Sequence, residues 1–369
     1  MNKMNLDLSY TLLTFYKFVD IPNPTEIVAE HKEFCDDIGL KGRIFIGEEG
    51  ISATLTGKNG QIKAYRLYLD SIPYFRDIPD IDDKSCRVDS HKFNKMIVRY
   101  RKEIVALGKR YSAEQIEKAT HKISIDEFKK ILENDIDSHV ILDMRNDYEY
   151  KLGHFKNAIP AGTIQFREVP ELVNNYKSQF GDKPVIMYCT GGIRCEKLSA
   201  MLEEAGMPKV FQLDGGVVKY VNKYQTTHWL GNLYTFDERV SCPVADSEEK
   251  IVITNCHYTG KEADIYFNCR YGPCNDQIIA LPEEYKSHFG FCSAECYHNS
   301  LNDLLIRNDF TFDKFNYKIL RGQIKADATR YDEISRKINN HLRQKLEGIT
   351  FNHAKSNKNH RLSPLSQID

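Results

Sequence analysis

The segment at residues 188–197, YCTGGIRCEK, combines a nucleophile, two glycines and a cation. Cys189 follows an apolar run, PVIMY, that predicts a buried strand, and a helix is predicted to begin near Arg194. Successive N–H groups of such a loop and the helix N-terminus stabilise negative charge, and Arg194 adds a positive charge. Since the thiolate is the nucleophilic form of cysteine, this pattern predicts a reactive thiolate rather than a structural cysteine in a tight turn. The candidate active-site loop comprises Cys189, Thr190, Gly191, Gly192, Ile193 and Arg194.

The length of this loop narrows the chemistry. Arg194 comes five residues after Cys189, whereas cysteine phosphatases place the arginine one residue further along, which makes room for a tetrahedral phosphate. The shorter loop favours a smaller anion or a single sulfur atom and disfavours phosphatase activity. A second thiol, Cys195, follows directly. It is interpreted either as a capping or packing residue of the helix or as a resolving cysteine that regenerates Cys189 by disulfide exchange.

A second group of cysteines lies further along the chain, where five of the ten cysteines fall between residues 256 and 296. They are Cys256, Cys269, Cys274, Cys292 and Cys296. The last four form two short pairs separated by 17 residues, a spacing typical of zinc ribbons. The first cysteine, together with His257, could replace one of these ligands. The alternatives are buried reduced thiols and a structural disulfide.

Basic residues are unevenly distributed, although the formal net charge is −1. In VRYRKEIV, Arg99 and Arg101 lie on one side of a predicted strand and Lys102 on the other, because side chains alternate. Residues 314–361 contain twelve Lys or Arg and four Asp or Glu. Both segments are candidate phosphate-binding surfaces for RNA, and both patterns are also typical of a solvated strand or helix face.

Composition limits the class of protein. The chain has 369 residues, of which 41% are hydrophobic and 28% charged. At about 100–200 residues each, two or three globular domains are expected. No run reaches the roughly 18 apolar residues of a membrane helix and no signal core opens the sequence, so we expect a cytoplasmic protein with reduced thiols and no membrane association. The sequence has no dinucleotide-binding fingerprint for a flavin or nicotinamide, and no clear two-histidine-one-carboxylate set for iron.

The order of strand-like and helix-like segments around these residues predicts an α/β fold. Residues 1–108 follow the order β-α-β-β-α-β, with the last strand in FNKMIVRYRKEIVALG, which indicates an α+β ferredoxin-like split βαβ domain. Residues 109–120 form a polar linker. Residues 121–227 alternate strands and helices, which indicates a parallel sheet with its site beyond the carboxyl ends of the strands. Residues 228–300 form a Cys-rich module, and residues 301–369 a basic, helical tail.

The central region resembles a rhodanese domain. The resemblance is carried by LDMRNDYEYKLGHFKNAIP at 142–160, by the loop at 189–194 and by LDGGVVKY at 213–220. The matching positions are Asp143, Arg145, Glu149, Gly153, His154, Ala158, Ile159, Pro160, Cys189, Gly192, Arg194, Asp214, Gly215 and Gly216. In rhodaneses the cysteine equivalent to Cys189 carries a persulfide. Tyr220 stands where tryptophan is more usual, a difference expected to affect packing only.

The architecture as a whole resembles the rhodanese-containing tRNA uridine hydroxylases over residues 10–300. GRIFIGEEGISATLTG, FNKMIVRYRKEIVALG, CTGGIRCEK, FDERV and the cysteine cluster carry this resemblance. The family implies oxygen-dependent 5-hydroxylation of the wobble uridine, so tRNA would be the partner and molecular oxygen the co-substrate. One departure is Thr259, which occupies the second position of the family's C-x-x-C pattern.

A thiolate offers a route to this chemistry. Cys189 would add to C6 of uracil and make C5 electron-rich enough to react with dioxygen, while Arg194 and the loop amides would stabilise the developing negative charge. Alternatively, a persulfide on Cys189 would act as the redox partner. The residues alone are also compatible with two other functions. One is a sulfurtransferase, and the other is a non-catalytic RNA-binding module with a vestigial rhodanese fold.

Overall fold

The computed structural model describes residues 9–306 except 79–80, 82–83, 208, 238 and 245–250, with the backbone alone for residues 301–306. The described residues form two compact units, 9–244 and 251–306. Residues 307–369, which make up most of the predicted basic tail, lie outside the described part of the chain. None of the described helices is long and apolar enough to span a membrane.

The N-terminal region is a five-stranded sheet with two helices. Its elements are β1 (Tyr10–Phe18), α1 (Pro24–Asp37), β2 (Lys41–Gly47), β3 (Gly50–Lys58), α2 (Asn59–Ser71), a 3₁₀ turn (Pro73–Phe75), β4 (Cys86–Val88) and β5 (Met96–Tyr100). The strand order is β4-β1-β3-β2-β5, with β5 parallel to β2 and the other pairs antiparallel. Strands β1 to β4 and the two helices form the predicted split βαβ arrangement.

The end of this region differs from the prediction. The fourth strand of the motif is the short β4, which pairs with β1 through a segment with no apolar alternation. The strand predicted within FNKMIVRYRKEIVALG is limited to β5, and it adds to the opposite edge of the sheet, beside β2. A three-residue edge strand with one buried side chain, Val88, is too short to show a side-chain period in the sequence.

Both helices cover one face of the N-terminal sheet. Ile62, Tyr65 and Leu69 of α2 recur at three- and four-residue spacing and are buried, so they form the apolar stripe of this helix. They pack on side chains from the helix-facing side of the strands, which include Leu13, Phe15, Ile44, Ile46, Ile51, Ala53, Leu55 and Val98. Side chains alternate along each strand, so the residues between these point to the opposite face, which α1 and α2 do not cover.

The central region is a parallel sheet. Its elements are α3 (Ala113–Ala119), β6 (Lys122–Ile123), α4 (Ile125–Asn134), a 3₁₀ turn (Ile136–Ser138), β7 (Val140–Asp143), α5 (Asp147–Leu152), β8 (Gly153–Phe155), β9 (Ile159–Pro160), a 3₁₀ segment (Phe166–Leu172), α6 (Val173–Phe180), β10 (Val185–Tyr188), α7 (Ile193–Glu204), β11 (Val210–Leu213), α8 (Gly216–Tyr224) and β12 (Trp229–Gly231). The order is β6-β11-β10-β7-β9, all parallel, and β8 pairs with β12.

Helices lie on both faces of this sheet, as the alternating pattern predicts. Alternate residues of β10 belong to two cores: Val185 and Met187 pack with α6 and α7, whereas Ile186 and Tyr188 pack with α4 and α8. Every residue of β10 is therefore buried, which explains why the strand reads as a continuous apolar run. The carboxyl end of β10, at Tyr188, is followed directly by Cys189.

The remaining elements are short strands and two helices. They are β13 (Leu233–Tyr234), β14 (Ser241–Cys242), β15 (Tyr266–Asn268), β16 (Gln277–Ile279), α9 (Pro282–Ser287) and α10 (Ala294–Ile306). The first two strands pair with each other in the larger unit, and β15 pairs with β16 in the smaller one. The core of the smaller unit is built from aromatic rings and cysteines.

Candidate active site

Cys189 lies at the carboxyl edge of the central sheet, directly after β10 and between β7 and β11. Its side chain is buried, with 1% of the residue exposed. The loop turns back on the sulfur, since the N–H of Gly192 donates to Sγ at 3.1 Å. Helix α7 begins at the next residue, Ile193. The nest of N–H groups expected from the sequence is therefore formed around this thiol.

The electrostatics of the loop favour the anionic sulfur. Burial opposes ionisation, but the Cys195 thiol, the Arg194 guanidinium and the N–H groups of Arg194 and Cys195 outweigh it. Together they lower the pKa of Cys189 from its usual 9.0 to about 5. Burial and the neighbouring Cys189 anion raise the pKa of Cys195, so the second thiol keeps its proton and donates a hydrogen bond to the Cys189 thiolate. The two sulfurs form a thiolate–thiol pair.

Arg194 is held by a buried carboxylate that the sequence marked only as a motif position. Its Nη1 and Nη2 donate to Glu149 Oε2 and Oε1 at 2.6 and 2.8 Å, and Nη2 also donates to Thr190 Oγ1 at 3.2 Å. Although burial opposes ionisation of Glu149, the Arg194 charge keeps the pKa of that carboxyl below its usual value. This bidentate ion pair fixes the Arg194 guanidinium beside the loop, and the Glu149 carboxylate offsets part of the positive charge of Arg194.

Asp143 and Arg145, both fully buried, support the site rather than enter it. Arg145 Nε donates to Asp143 Oδ1 at 2.9 Å, and its Nη2 donates to the carbonyl of Gly153 at 2.6 Å. The guanidinium carbon lies 5.0 Å from the ring centroid of Trp229. These contacts connect the end of β7 to β8 and β12, and so position the intervening α5, which carries Glu149.

The second glycine motif, at Gly215 and Gly216, holds the loop from its other side. Val217 and Val218 at the start of α8 donate their N–H groups to the carbonyls of Cys189 and Thr190, both at 3.0 Å. A Cβ on Gly216 would lie 2.5 Å from the Cys189 carbonyl oxygen, so only glycine permits this approach. With its carbonyls bound to α8, the loop turns its N–H groups towards the sulfur.

Tyr16 reaches this loop from β1 of the N-terminal sheet, a contact that the sequence did not predict. Its hydroxyl oxygen lies 2.6 Å from the position that a Cβ on Gly192 would take. Burial, together with the neighbouring Glu196, Cys189 and Cys195, raises the pKa of Tyr16 well above its usual value. The phenol therefore stays protonated beside the thiolate at neutral pH.

Lys197 on α7 makes the second connection to the N-terminal region. The side chain is fully buried, and its Nζ lies 2.7 Å from both Glu49 Oε2 and Glu103 Oε2. It also donates to the carbonyl of Val105 at 3.0 Å. Glu49 in turn accepts the N–H of Ile104 at 2.7 Å. One cation thus joins the β2–β3 turn and the segment after β5 to the helix that follows Cys189.

Gly192 is the loop residue least able to accept a side chain. Its φ is +102°, whereas Gly191 does not take a positive φ and has open space at its Cβ position. We expect Gly192→Ala to lower kcat by about 100-fold, because the new methyl group must displace either the loop or the Tyr16 hydroxyl. Gly191→Ala is the matched control and should stay close to wild type in steady-state assays. Equal losses in both variants would contradict this account of the loop.

The lowered pKa of Cys189 sets an expected pH dependence. The thiolate exists above its pKa, so kcat/KM for the reaction that uses it should be flat above about pH 6 and fall tenfold per unit below about pH 5. Initial rates at low substrate concentration across this range would measure it. A rate that instead rises through pH 8 to 9 would indicate an ordinary thiol and contradict the loop electrostatics.

Four of the five cysteines of the smaller unit have their sulfur atoms close together. The Sγ atoms of Cys269, Cys274, Cys292 and Cys296 all lie within 4.8 Å of one another. The Cys274–Cys292 and Cys292–Cys296 sulfurs are 3.7 and 3.5 Å apart. Tetrahedral zinc with Zn–S bonds of about 2.3 Å needs sulfurs about 3.8 Å apart, so this donor set fits that ion.

Two neighbours that the sequence offered as substitute ligands lie outside the group of four. Cys256 Sγ accepts the N–H of Leu281 at 3.4 Å. His257 Nε2 is 2.6 Å from the carbonyl oxygen of Cys292. His257 therefore contacts the four-cysteine group through the backbone of Cys292 rather than as a fifth member of it.

The predicted RNA-contacting residues lie on the N-terminal sheet. Arg99, Arg101 and Lys102 are exposed at the end of β5. The Arg101 guanidinium carbon is 5.2 Å from the ring centroid of Phe45 on β2. The basic residues predicted at 314–361 lie outside the described residues.

Comparisons with known proteins cover most of the chain. Family models match at residues 10–104 (UPF0176 acylphosphatase like domain), 124–223 (Rhodanese-like domain) and 230–297 (Rhodanase C-terminal). A relative from Bacillus velezensis, named tRNA uridine(34) hydroxylase, is 36% identical over 317 residues, which cover 85% of this chain and 96% of the relative. The protein of that name from Staphylococcus haemolyticus is 38% identical over 314 residues, with the same coverage. Among solved structures, the rhodanese-like domain from Anabaena sp. is 20% identical to this chain. The aligned region covers 36% of this chain and 90% of that domain, and the TM-score is 0.26.

Proposed function

Because this chain belongs to the tRNA uridine(34) hydroxylase family, we propose that it hydroxylates the wobble uridine of tRNA at C5 with Cys189 as the reacting residue. The observation that carries the assignment of the residue is the buried Cys189 thiol, whose pKa is lowered to about 5 at the carboxyl edge of a parallel sheet. A site at that edge is where α/β sheets bind their ligands. A wobble base would have to leave the anticodon stack to reach it.

The chemistry begins with the thiolate. Cys189 adds to C6 of uracil, and the resulting negative charge on the ring is stabilised by Arg194 and the loop N–H groups. C5 then carries the electron density that reacts with molecular oxygen. One oxygen atom stays on C5, and the other leaves as water after accepting two electrons and two protons.

Cys195 is positioned to supply those electrons. The Cys195 thiol reduces the hydroperoxide formed at C5 to the hydroxyl and becomes a sulfenic acid, and loss of the C5 proton then releases Cys189 from C6. The Cys189 thiolate attacks this sulfenic acid with uptake of one solvent proton, which gives the Cys189–Cys195 disulfide and water, and an external thiol would restore the pair. The hydrogen bond between the two sulfur groups supports this role, since disulfide exchange needs the sulfurs in contact. A persulfide on Cys189 is the alternative source of electrons.

The experiment that tests the function is mass spectrometry of nucleosides from tRNA incubated in air with the purified protein and a thiol reductant. The expected product is 5-hydroxyuridine at the wobble position, absent without protein and absent without oxygen. If the protein instead turns over thiosulfate and cyanide and forms no hydroxyuridine, the sulfurtransferase alternative replaces this proposal.

Exposed basic residues that could bind phosphates support the same substrate. Exposed Arg99 and Arg101 at the end of β5 offer positive charge on the sheet face that also carries Tyr16, and Lys102 is exposed next to them in the chain. Such contacts fix the position of a nucleic acid without reading its sequence. We expect the reaction to take place in the cytoplasm, where tRNA and reduced thiols are both available.

We also propose that the four-cysteine group holds a structural zinc ion, which would stabilise the smaller unit. Purified protein should contain about one zinc per chain by elemental analysis, and Cys292→Ser should lose most of it because the remaining three sulfurs leave the tetrahedron open. Cys256→Ser is the matched control and should keep its zinc. Wild-type protein without zinc after purification in metal-containing medium would exclude the proposal.

A further inference from the structure

The N-terminal sheet has one face that α1 and α2 do not cover and that is accessible over part of its area, away from the buried Leu12, Tyr16 and Thr56. The apolar side chains under α1 and α2 occupy alternate strand positions. The intervening residues of β1, β2, β3 and β5 point the other way. They include Thr14, Arg43, Phe45, Ser52, Thr54 and Arg99, each of which is exposed or half-buried.

Strand register places these side chains in rows across the sheet. Tyr16 is opposite Ser52, Ser52 is opposite Phe45, and Phe45 is level with Arg99. Residues paired in this way share a face, and each step between strands is about 4.8 Å. The row therefore extends about 14 Å, from Tyr16 at the Cys189 loop to Arg99 at the outer edge.

The neighbouring row adds positive charge without any acidic residue. Thr14 pairs with Thr54, Thr54 with Arg43, and Arg43 with Ile97. Arg101, two residues beyond Arg99, stacks its guanidinium 5.2 Å from the Phe45 ring centroid. One aromatic ring is thus flanked by three arginines, and the other residues of the two rows are small, hydroxylated or apolar.

We propose that this face, defined by Tyr16, Arg43, Phe45, Ser52, Arg99 and Arg101, binds the single-stranded anticodon loop of tRNA and leads the target uridine to Cys189. A base next to the target stacks on Phe45, while the arginines bind its phosphates. An aromatic ring on an open sheet with basic neighbours is the arrangement by which sheets bind single-stranded RNA. The inference rests on the proposed function, because the row ends at the loop of the reacting thiol.

The test uses the full-length protein and an anticodon stem-loop RNA with uridine at the wobble position. Phe45→Ala should weaken binding by about 5- to 100-fold, the usual loss for one stacked base. Phe45→Leu, which keeps most of the apolar packing, should weaken binding as well because it removes the aromatic face. In turnover, both variants should raise KM with little change in kcat, since they remove binding shared by the ground and transition states.

Controls distinguish this face from a general effect of surface substitution. Tyr100→Leu removes an exposed ring at the same edge, one position along β5 and so on the other side of the strand, and should bind like wild type. Arg43→Gln and Arg99→Gln should each reduce the salt dependence of binding by about one phosphate contact. Lys63→Gln, on the exposed surface of α2, should leave that salt dependence unchanged.

The outcomes separate this inference from the function itself. If wild-type protein forms hydroxyuridine but both Phe45 variants and both arginine variants bind the stem-loop like wild type, the RNA contacts another surface and the inference is wrong. If the variants bind RNA normally but lose a protein from a defined complex, the face is a protein-binding surface and the inference is equally wrong. If wild-type protein forms no hydroxyuridine, the proposed function is wrong, whereas the binding measurements with the Phe45 and arginine variants still test the RNA-binding face.

Discussion

Cys189→Ser should eliminate hydroxyuridine formation, with a loss of at least about a thousandfold, the scale on which removal of a nucleophile acts. Serine is close to cysteine in size and can accept the Gly192 N–H, so the loop is expected to keep its conformation. A hydroxyl group, however, is not ionised at neutral pH even beside Arg194, and it cannot add to C6. Nucleoside mass spectrometry after a single turnover measures the product directly.

Cys195→Ala provides the matched control from the same loop. It removes the thiol that donates to Cys189 but leaves the Arg194 charge and the loop N–H groups in place. We expect hydroxyuridine formation to fail in the first turnover as well as in later ones, because the disulfide that supplies the two electrons can no longer form, whereas addition of the Cys189 thiolate to the base should persist. Full product from Cys189→Ser would contradict the role of the thiolate. Full multiple turnover by Cys195→Ala would reduce Cys195 to a packing residue.

Lys197→Met should strongly destabilise the larger unit. The substitution keeps the length of the side chain but leaves Glu49, which is 2% exposed, and the partly buried Glu103 without their shared cation. Breaking a buried ion pair from one side costs about 3–5 kcal/mol. For a unit of this size the melting temperature should fall by on the order of 10 °C.

An exposed ion pair supplies the control for this prediction. Lys109 lies 2.6 Å from Glu204, and both side chains are about half exposed. Lys109→Met should cost less than about 1 kcal/mol, since exposed pairs contribute little. Thermal unfolding of both variants, followed by circular dichroism, makes the comparison. Similar melting temperatures for the two would show that Lys197 does not join the N-terminal region to α7.

The local parts of the site could be predicted from the sequence. Cys189, Gly192 and Arg194 are close in the chain, so a strand, a turn and a helix suffice to bring them together. The four-cysteine group is also largely local, since each pair comes from one short segment. Cys256 could not be separated from that group by spacing alone, because its exclusion depends on how the backbone of Leu281 meets its sulfur.

Contacts between distant segments could not be predicted in this way. Tyr16 and Lys197 reach partners far away in sequence, and a periodic pattern reveals that a face is buried but not what lies against it. Glu149 was visible as a motif position, yet its bond to Arg194 depends on α5 lying against the loop. The short β4 could not be predicted either, but for a local reason, since three residues are too few to show a hydrophobic period.

The most direct test of the central claim is exchange of the C5 hydrogen of the wobble uridine without oxygen. If Cys189 adds to C6, the ring takes up a deuteron from heavy water at C5, and loss of the original proton with release of the thiolate returns a labelled uridine. Wild-type protein and tRNA incubated anaerobically in deuterated buffer should therefore yield wobble uridine with one deuterium at C5, and Cys189→Ser should yield none. Hydroxyuridine formation in air by a protein that catalyses no such exchange would contradict addition of Cys189 to the base.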